Sequence, residues 1–280
     1  MKNNIIAIMY DFDKTLCTKD MQEYTFIPNL GINPEEFWKE ADELRSKTQI
    51  DQILACMYLM YKKMQEQNKP LKKEYLIESG KEIELYAGVE NWFERINKYA
   101  ESLGFTVEHY IISSGLKEII LGSKIGSYFK SIFASEFYYN EEGNAVWPKL
   151  AVNYTNKTQF LSRINKGVLD ISDDYNLNKK MLEDDKRIST KNMIYIGDGL
   201  TDIPCMKLTK DAGGVSIAVY TEKTHEDAMN LLNDDRINFI VPADYRENYE
   251  LDKIIKEIIS KMVIDTNLRN ITTNQKENNI

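Results

Sequence analysis

The stretch IIAIMYDFDKTL, residues 5–16, decides how the rest of the chain is read. Ile5, Ile6, Ala7, Ile8 and Met9 are an unbroken apolar run, the pattern of a strand covered on both faces and so of a parallel sheet between layers of helix. The run ends in Asp11 and Asp13, with Lys14 and Thr15 behind them. Two carboxylates this close repel each other unless something neutralises them, and ligands of open parallel sheets bind at the carboxyl ends of strands. One stretch therefore predicts a fold class and the position of a site.

Similar apolar runs recur at residues 107–112, 132–134, 193–196, 215–219 and 239–241. Helical patterns lie between several of them. Val89, Trp92, Phe93, Ile96, Tyr99 and Ala100 follow one another at spacings suited to one helix face, and residues 116–129 read the same way. The alternation predicts an α/β protein with a Rossmann-like three-layer core and a mainly parallel sheet. Residues 18–86 interrupt it with helical patterns at 34–44 and 49–67 and no convincing strand, so a small helical domain is expected as an insertion after the first strand. The core is then residues 1–17 and 87–264, with Gly88 near the point of return. A hairpin is expected to turn at Gly143, and residues 170–190 are a polar excursion suited to the surface. The polar, Asn-rich segment 265–280 is expected to be a disordered tail.

With 280 residues, 42% of them hydrophobic and 29% charged, the chain has the composition of a globular protein with a sizeable core. A net charge of −8 argues against nucleic acid or an anionic membrane surface as the partner. Cys17, Cys56 and Cys205 form no C-x-x-C pair, which suits reduced thiols in the cytoplasm. With only His109 and His225 available, a Cys/His metal site is not expected either, and His109 reads as a packed core residue. The first apolar run is too short for a signal peptide, and no stretch approaches the roughly 18 apolar residues of a membrane span. Nothing in the sequence specifies an oligomeric state.

The residues after each strand supply the chemistry. Besides Asp11 and Asp13 they include Ser113, Ser114 and Gly115 after the second run, and Asp198, Gly199 and Asp202 after MIYIG, with Lys157 opening a helical pattern between them. Sheet geometry would bring these groups to one edge. Several carboxylates with no His or Cys point to Mg²⁺, which prefers oxygen ligands and leaves positions open to water and phosphate oxygens. Lys157, Ser113 and the amides opening the following helix would then receive a phosphate. Of the first two carboxylates, one can attack phosphorus while the other, its pKa raised by its neighbour, serves as acid and base.

DFDKTL, the strand ending in Ser113, Lys157 and GDGLTD at residues 197–202 together resemble the four ordered motifs of the haloacid dehalogenase superfamily, specifically its phosphatases with a C1-type helical cap. The resemblance implies a Mg²⁺-dependent phosphomonoester hydrolase acting on a small phosphorylated metabolite through an aspartyl-phosphate. It makes Asp11 the nucleophile, Asp13 the general acid and base, and Ser113, with Ser114 beside it, and Lys157 the phosphate ligands. The metal set would be Asp11, the backbone carbonyl of Asp13, Asp198 and Asp202, while Thr15 would steady the first loop beside the substrate. The similar phosphoserine phosphatases hold the substrate's amino group with an acidic residue about where Asp20 stands, usually the longer Glu. The same motifs suit a phosphotransferase or phosphomutase, and a strand-end Asp with Ser and Lys also suits a non-catalytic module that accepts a regulatory phosphate.

Overall fold

The computed structural model describes residues 4–277. Its centre is β1 (Ile5–Tyr10), and the helices α1 (Phe26–Asn29), α2 (Pro34–Thr48), α3 (Gln52–Glu66) and α4 (Lys73–Ser79) follow it directly. The chain continues through α5 (Val89–Ser102), β2 (Thr106–Leu116), α6 (Lys117–Gly122), β3 (Phe129–Tyr139) and β4 (Ala145–Leu150). It then runs through α7 (Thr158–Lys166), α8 (Asp174–Asn178), β5 (Met193–Gly197), α9 (Ile203–Asp211), β6 (Val215–Tyr220), α10 (His225–Asn233), β7 (Phe239–Pro242) and α11 (Glu250–Glu277).

The seven strands form one sheet in the order β4-β3-β2-β1-β5-β6-β7, parallel except at the β3–β4 edge. Period-two geometry explains the continuous apolar run of β1. Ile6, Ile8 and Tyr10 face one core, shared with Trp92, Phe93 and Ile96 of α5 and Ile255 and Ile259 of α11. Ala7 and Met9 face a second core with Phe160 and Ile164 of α7 and Met206 of α9. These are the three layers expected. The chain leaves β1 toward β2 on one side and returns to β5 on the other, which opens a crevice at the end of β1 where Asp11 stands.

The helical insertion leaves and re-enters through a paired stem. Cys17 bridges Leu85 in antiparallel fashion, and the amides of Thr18 and Tyr86 donate to the carbonyls of Glu84 and Leu16 at 3.1 and 3.0 Å. The hairpin turns at Gly143, whose φ of +76° lies in the left-handed region.

Three expectations are corrected. The helix read over 116–129 is only α6, because the Ser123 hydroxyl donates to the Ile120 carbonyl at its end and the chain turns at Gly126 to reach β3. β2 runs on to Leu116, so Ser113 lies inside a strand and not at a helix start. The tail expected to be disordered after residue 264 is helical as far as Glu277. Thr266 of that helix is buried, and the Arg269 guanidinium donates to its hydroxyl at 2.8 Å and to Asn192 Oδ1 at 3.2 Å, fastening the helix beside the start of β5. Residues 278–280 of that segment lie outside the described residues. Among the described residues no helix is long and apolar enough to cross a membrane.

Candidate active site

Strand ends bring the acidic residues together. Asp11 follows β1, Asp198 follows β5, and Asp202 lies in the short 3-10 turn that leads into α9. One carboxylate oxygen from each lies within 4.8 Å of the others. Lys157, at the N-cap of α7, is completely buried beneath them, with Nζ 2.8 Å from Asp202 Oδ1 and 3.2 Å from Asp11 Oδ1. The Tyr195 hydroxyl donates to the same Asp202 oxygen at 2.8 Å.

Three carboxylates against one ammonium leave an excess of two negative charges in a buried volume. Burial first, and then Asp202, push the Asp11 carboxyl up against the opposing pull of Lys157. Asp198 is pushed well up by burial and by Asp202 and Asp11. Burial works against the Lys157 charge, but Asp11 and Asp202 outweigh it and hold the ammonium above its usual range. Asp202 Oδ2 is buried without a hydrogen bond among the described residues, and Asp11 Oδ1 has only its ion pair with Lys157. An all-oxygen set with an orphaned acceptor and two uncompensated negative charges fits a divalent hard cation.

Asp13 takes a different position. Its side chain is outside that cluster; Oδ1 accepts from the Met21 amide at 2.8 Å, and burial, Asp20 and Asp11 raise its pKa well above the usual carboxylate range. A Cβ at residue 115 would stand 2.0 Å from Met21 Cε and 2.9 Å from Asp13 Oδ2, so any larger residue would push the Met21 side chain and the acid from their places. Gly197 plays the same part on the other side, since a Cβ there would stand 2.5 Å from Asp202 Oδ2.

Asp11, Asp13, Asp20, Ser113, Ser114 and Asp198 all line one cleft of about 640 Å³, part of whose wall comes from α2 and α3 of the insertion. A register shift between Ile112 and Leu116 bows Ser113, Ser114 and Gly115 out of the β2–β3 ladder toward it. The amides expected to meet an anion here are already engaged. That of Gly115 donates to Ser113 Oγ at 3.1 Å, and that of Leu116 lies 3.1 Å from Met21 Sδ. Thr15 does not line the cleft. It is fully buried, and its carbonyl accepts from the Tyr245 hydroxyl at 2.9 Å, which suits steadying the loop and not touching a substrate. Lys157 and Asp202 lie below the cleft floor, each fully buried. Asp20 lines the cleft but holds Lys14 Nζ at 2.6 Å, and Lys14 reaches it from a left-handed backbone at φ +56°.

Several participants escaped the sequence reading. Tyr195 was visible as the one hydroxyl in the apolar run of β5. Asp51 and Asn153 carried no signal, because their contact crosses from insertion to core. Asp51 Oδ1 caps α3 by accepting from the amides of Ile53 and Leu54, while Oδ2 accepts from Asn153 Nδ2 at 2.9 Å. Asn153 Oδ1 in turn accepts from the amides of Thr155 and Asn156, organising the turn that presents Lys157.

A sequence profile of the haloacid dehalogenase-like hydrolases matches residues 8–207. An uncharacterized protein of Borreliella burgdorferi is 26% identical over 286 aligned residues, covering 92% of this chain and 98% of its own. Among solved structures, a HAD family hydrolase from Salmonella enterica serovar Typhi is similar with a TM-score of 0.59 at 17% identity, over 92% of this chain and 72% of that one. A phosphoserine phosphatase, as a phospho-aspartyl intermediate analogue, gives 0.54 at 15% identity over 92% and 99%. Cytosolic 5′-nucleotidase IIIB bound to cytidine gives 0.52 at 15% identity over 95% and 88%. The structural likenesses are likenesses of fold. The profile match spans most of the chain, from within β1 to beyond Asp202, and the chain belongs to the haloacid dehalogenase-like hydrolases.

Proposed function

We propose that the chain is a Mg²⁺-dependent phosphomonoester hydrolase that acts on a small phosphorylated metabolite through an aspartyl-phosphate formed on Asp11. The observation that carries this reading is the separation of two kinds of carboxylate at one cleft. Asp11, Asp198 and Asp202 share a cluster with Lys157, and Asp13 stands apart with its own hydrogen bond and a raised pKa. The phospho-aspartyl analogue captured in the phosphoserine phosphatase of the same fold is consistent with it.

Asp11, Asp198 and Asp202 would hold the ion, with the backbone carbonyl of Asp13 as the further ligand that the resemblance implies. When bound, Mg²⁺ supplies positive charge that lets an anionic phosphate approach an anionic nucleophile. The remaining steps belong to the chain's own groups. An Asp11 carboxylate oxygen forms a bond to phosphorus as the bond to the substrate's alcohol oxygen breaks. Asp13 gives that oxygen its proton. The Met21 amide fixes one oxygen of Asp13, leaving Oδ2, against Gly115, to carry the proton. Asp13 then takes a proton from water, the water oxygen bonds to phosphorus, and the bond to Asp11 breaks to release inorganic phosphate. Ser113 donates to a phosphate oxygen once its hydroxyl turns toward the cleft, and Lys157 holds Asp11 and Asp202 in place from below.

Asp11→Asn should abolish phosphate release while leaving the circular dichroism spectrum unchanged. Retention of more than roughly a few per cent of wild-type turnover would reject Asp11 as the nucleophile. One inorganic phosphate per ester consumed identifies a hydrolase, whereas an isomeric or transferred phosphate identifies a mutase or transferase.

A further inference from the structure

We propose, resting on the catalytic reading above, that the alcohol of the substrate is an uncharged group of about nucleoside size. It is apolar on its faces and has a hydrogen-bonding edge that the side-chain amide of Gln22 reads. Gln22 follows directly on Met21, whose amide holds the acid Asp13, and Gln22 and Asp13 line the same cleft. Gln22 is 5% exposed, and its side-chain amide makes no hydrogen bond among the described residues. The amide is not among the fully buried orphans, so its donor and acceptor face the space of the cleft, where they are open to a partner. An amide held in this way at the wall of a cleft is matched by a partner that enters the cleft. Gln carries both a donor and an acceptor, so the group it fits presents both.

The rest of the insertion's wall says what surrounds that edge. Much of it is apolar, since Trp38, Ile50, Ile53, Cys56, Met57 and Met60 line it beside Asp42, Arg45, Asp51 and Gln52, and the two methionines can adapt to the shape of an apolar ligand. The less exposed acids that the insertion contributes to the cleft, Asp20 and Asp51, already have partners, whereas Asp42 and Arg45 are exposed. Asp20 holds Lys14 at 2.6 Å, Asp51 is divided between the start of α3 and Asn153, and Asp42 faces Arg45 at 3.9 Å where both are exposed. Away from that exposed pair, a leaving group with an ammonium and a carboxylate, such as serine, would be desolvated against the apolar part of the wall with no free counter-charge unless the Lys14–Asp20 pair opened. A cleft of about 640 Å³ also leaves much of its volume empty around so small an alcohol. Volume, apolar wall and the unpaired amide all point to a phosphate ester of the nucleoside monophosphate kind.

The test compares kcat/KM of the purified full chain with Mg²⁺ for five probes: p-nitrophenyl phosphate, phosphoserine, glucose 6-phosphate, and adenosine and uridine 5′-monophosphates. The nucleotides are expected to exceed phosphoserine and glucose 6-phosphate by at least about tenfold. In Gln22→Met, close in shape but without the amide, the ratio of nucleotide to p-nitrophenyl phosphate kcat/KM is expected to fall roughly fivefold, mainly through KM, as for one lost neutral hydrogen bond. Phosphoserine or the sugar phosphate turned over as well as the nucleotides would overturn the inference, and so would a ratio unmoved in the variant. The wild-type comparison needs no substitution, so a poorly folding variant does not rescue the idea. Failure to hydrolyse any probe, p-nitrophenyl phosphate included, refutes the catalytic reading itself and the inference with it.

Discussion

His109 is expected to make the protein acid-sensitive in a way one substitution can isolate. The imidazole is buried in the core between α5 and the sheet, within a directional chain of hydrogen bonds. Trp92 Nε1 donates to the Tyr10 oxygen at 2.9 Å, the Tyr10 hydroxyl lies 3.0 Å from Nδ1, and Nε2 lies 2.9 Å from Asn97 Oδ1. Asn97 Oδ1 can only accept, so the proton sits on Nε2 and Nδ1 accepts from Tyr10. A second proton on Nδ1 would displace the Tyr10 hydrogen into a buried site with no acceptor, and burial pushes the imidazole down from 6.5 to about 3. Between those values the unfolded chain binds a proton that the folded chain refuses, so stability falls as the pH is lowered through that window. Integrated from pH 7 to pH 5, the loss is about 2 kcal/mol, and it is nearly the same for a folded pKa of about 4 because pH 5 still lies above it. Asp13 and Asp198 have raised pKa values and act in the opposite sense, losing stability as pH rises, so the total curve mixes several groups. His109→Asn keeps an acceptor for Tyr10 and cannot titrate. Urea unfolding at pH 5, 6 and 7, followed by tryptophan fluorescence, should show the wild-type advantage over the variant shrinking by about 2 kcal/mol from pH 7 to pH 5. Parallel stability curves would refute both the burial of a neutral imidazole and the proton assignment.

Mg²⁺ at about 100 times its dissociation constant should raise the thermal midpoint by about 5 °C, and Asp198→Asn should remove that shift; a midpoint indifferent to Mg²⁺ and to EDTA would deny the cation site. Lys157→Met leaves Asp11 and Asp202 buried without their cation and should cost about 3–5 kcal/mol in urea titrations, whereas an unchanged midpoint would mean that the pair contributes nothing. Asn153→Asp keeps the acceptor that shapes the Lys157 turn but sets a carboxylate against Asp51, so KM should rise by roughly five- to tenfold. Adding Asp51→Asn restores the bond with its polarity reversed and should recover most of that loss, and a double variant as impaired as the single one would show that the contact does not govern the insertion's closure.

The parts of the architecture that follow from local pattern were readable in the sequence, and the parts that depend on one surface meeting another were not. The run from Ile5 to Met9 announces a strand covered on both faces because Ile6 and Ile8 go to one core and Ala7 and Met9 to the other. Asp11, Asp198 and Lys157 could be gathered in advance because strand ends and helix starts have fixed places in such a sheet. Ser113 was misplaced because a bulge, not a helix terminus, turns it outward, and a register shift leaves no trace in hydropathy. Residues 265–277 read as disordered because their polarity is real, yet Thr266 and Arg269 dock on Asn192, a contact between residues more than seventy positions apart. The pairing of Asp20 with Lys14 was equally hidden, since it depends on the left-handed turn at Lys14.

The paired stem at Cys17 and Leu85 has a corollary for the cleft. Both ends of the insertion are pinned within a single backbone rung, three residues from Lys14 and four from Asp13. A helix of the insertion can lengthen, shorten or be exchanged, and the change in path is absorbed above that rung before it reaches the acid. An altered insertion on the same stem would therefore change the wall of the cleft while Asp11 and Asp13 keep their geometry.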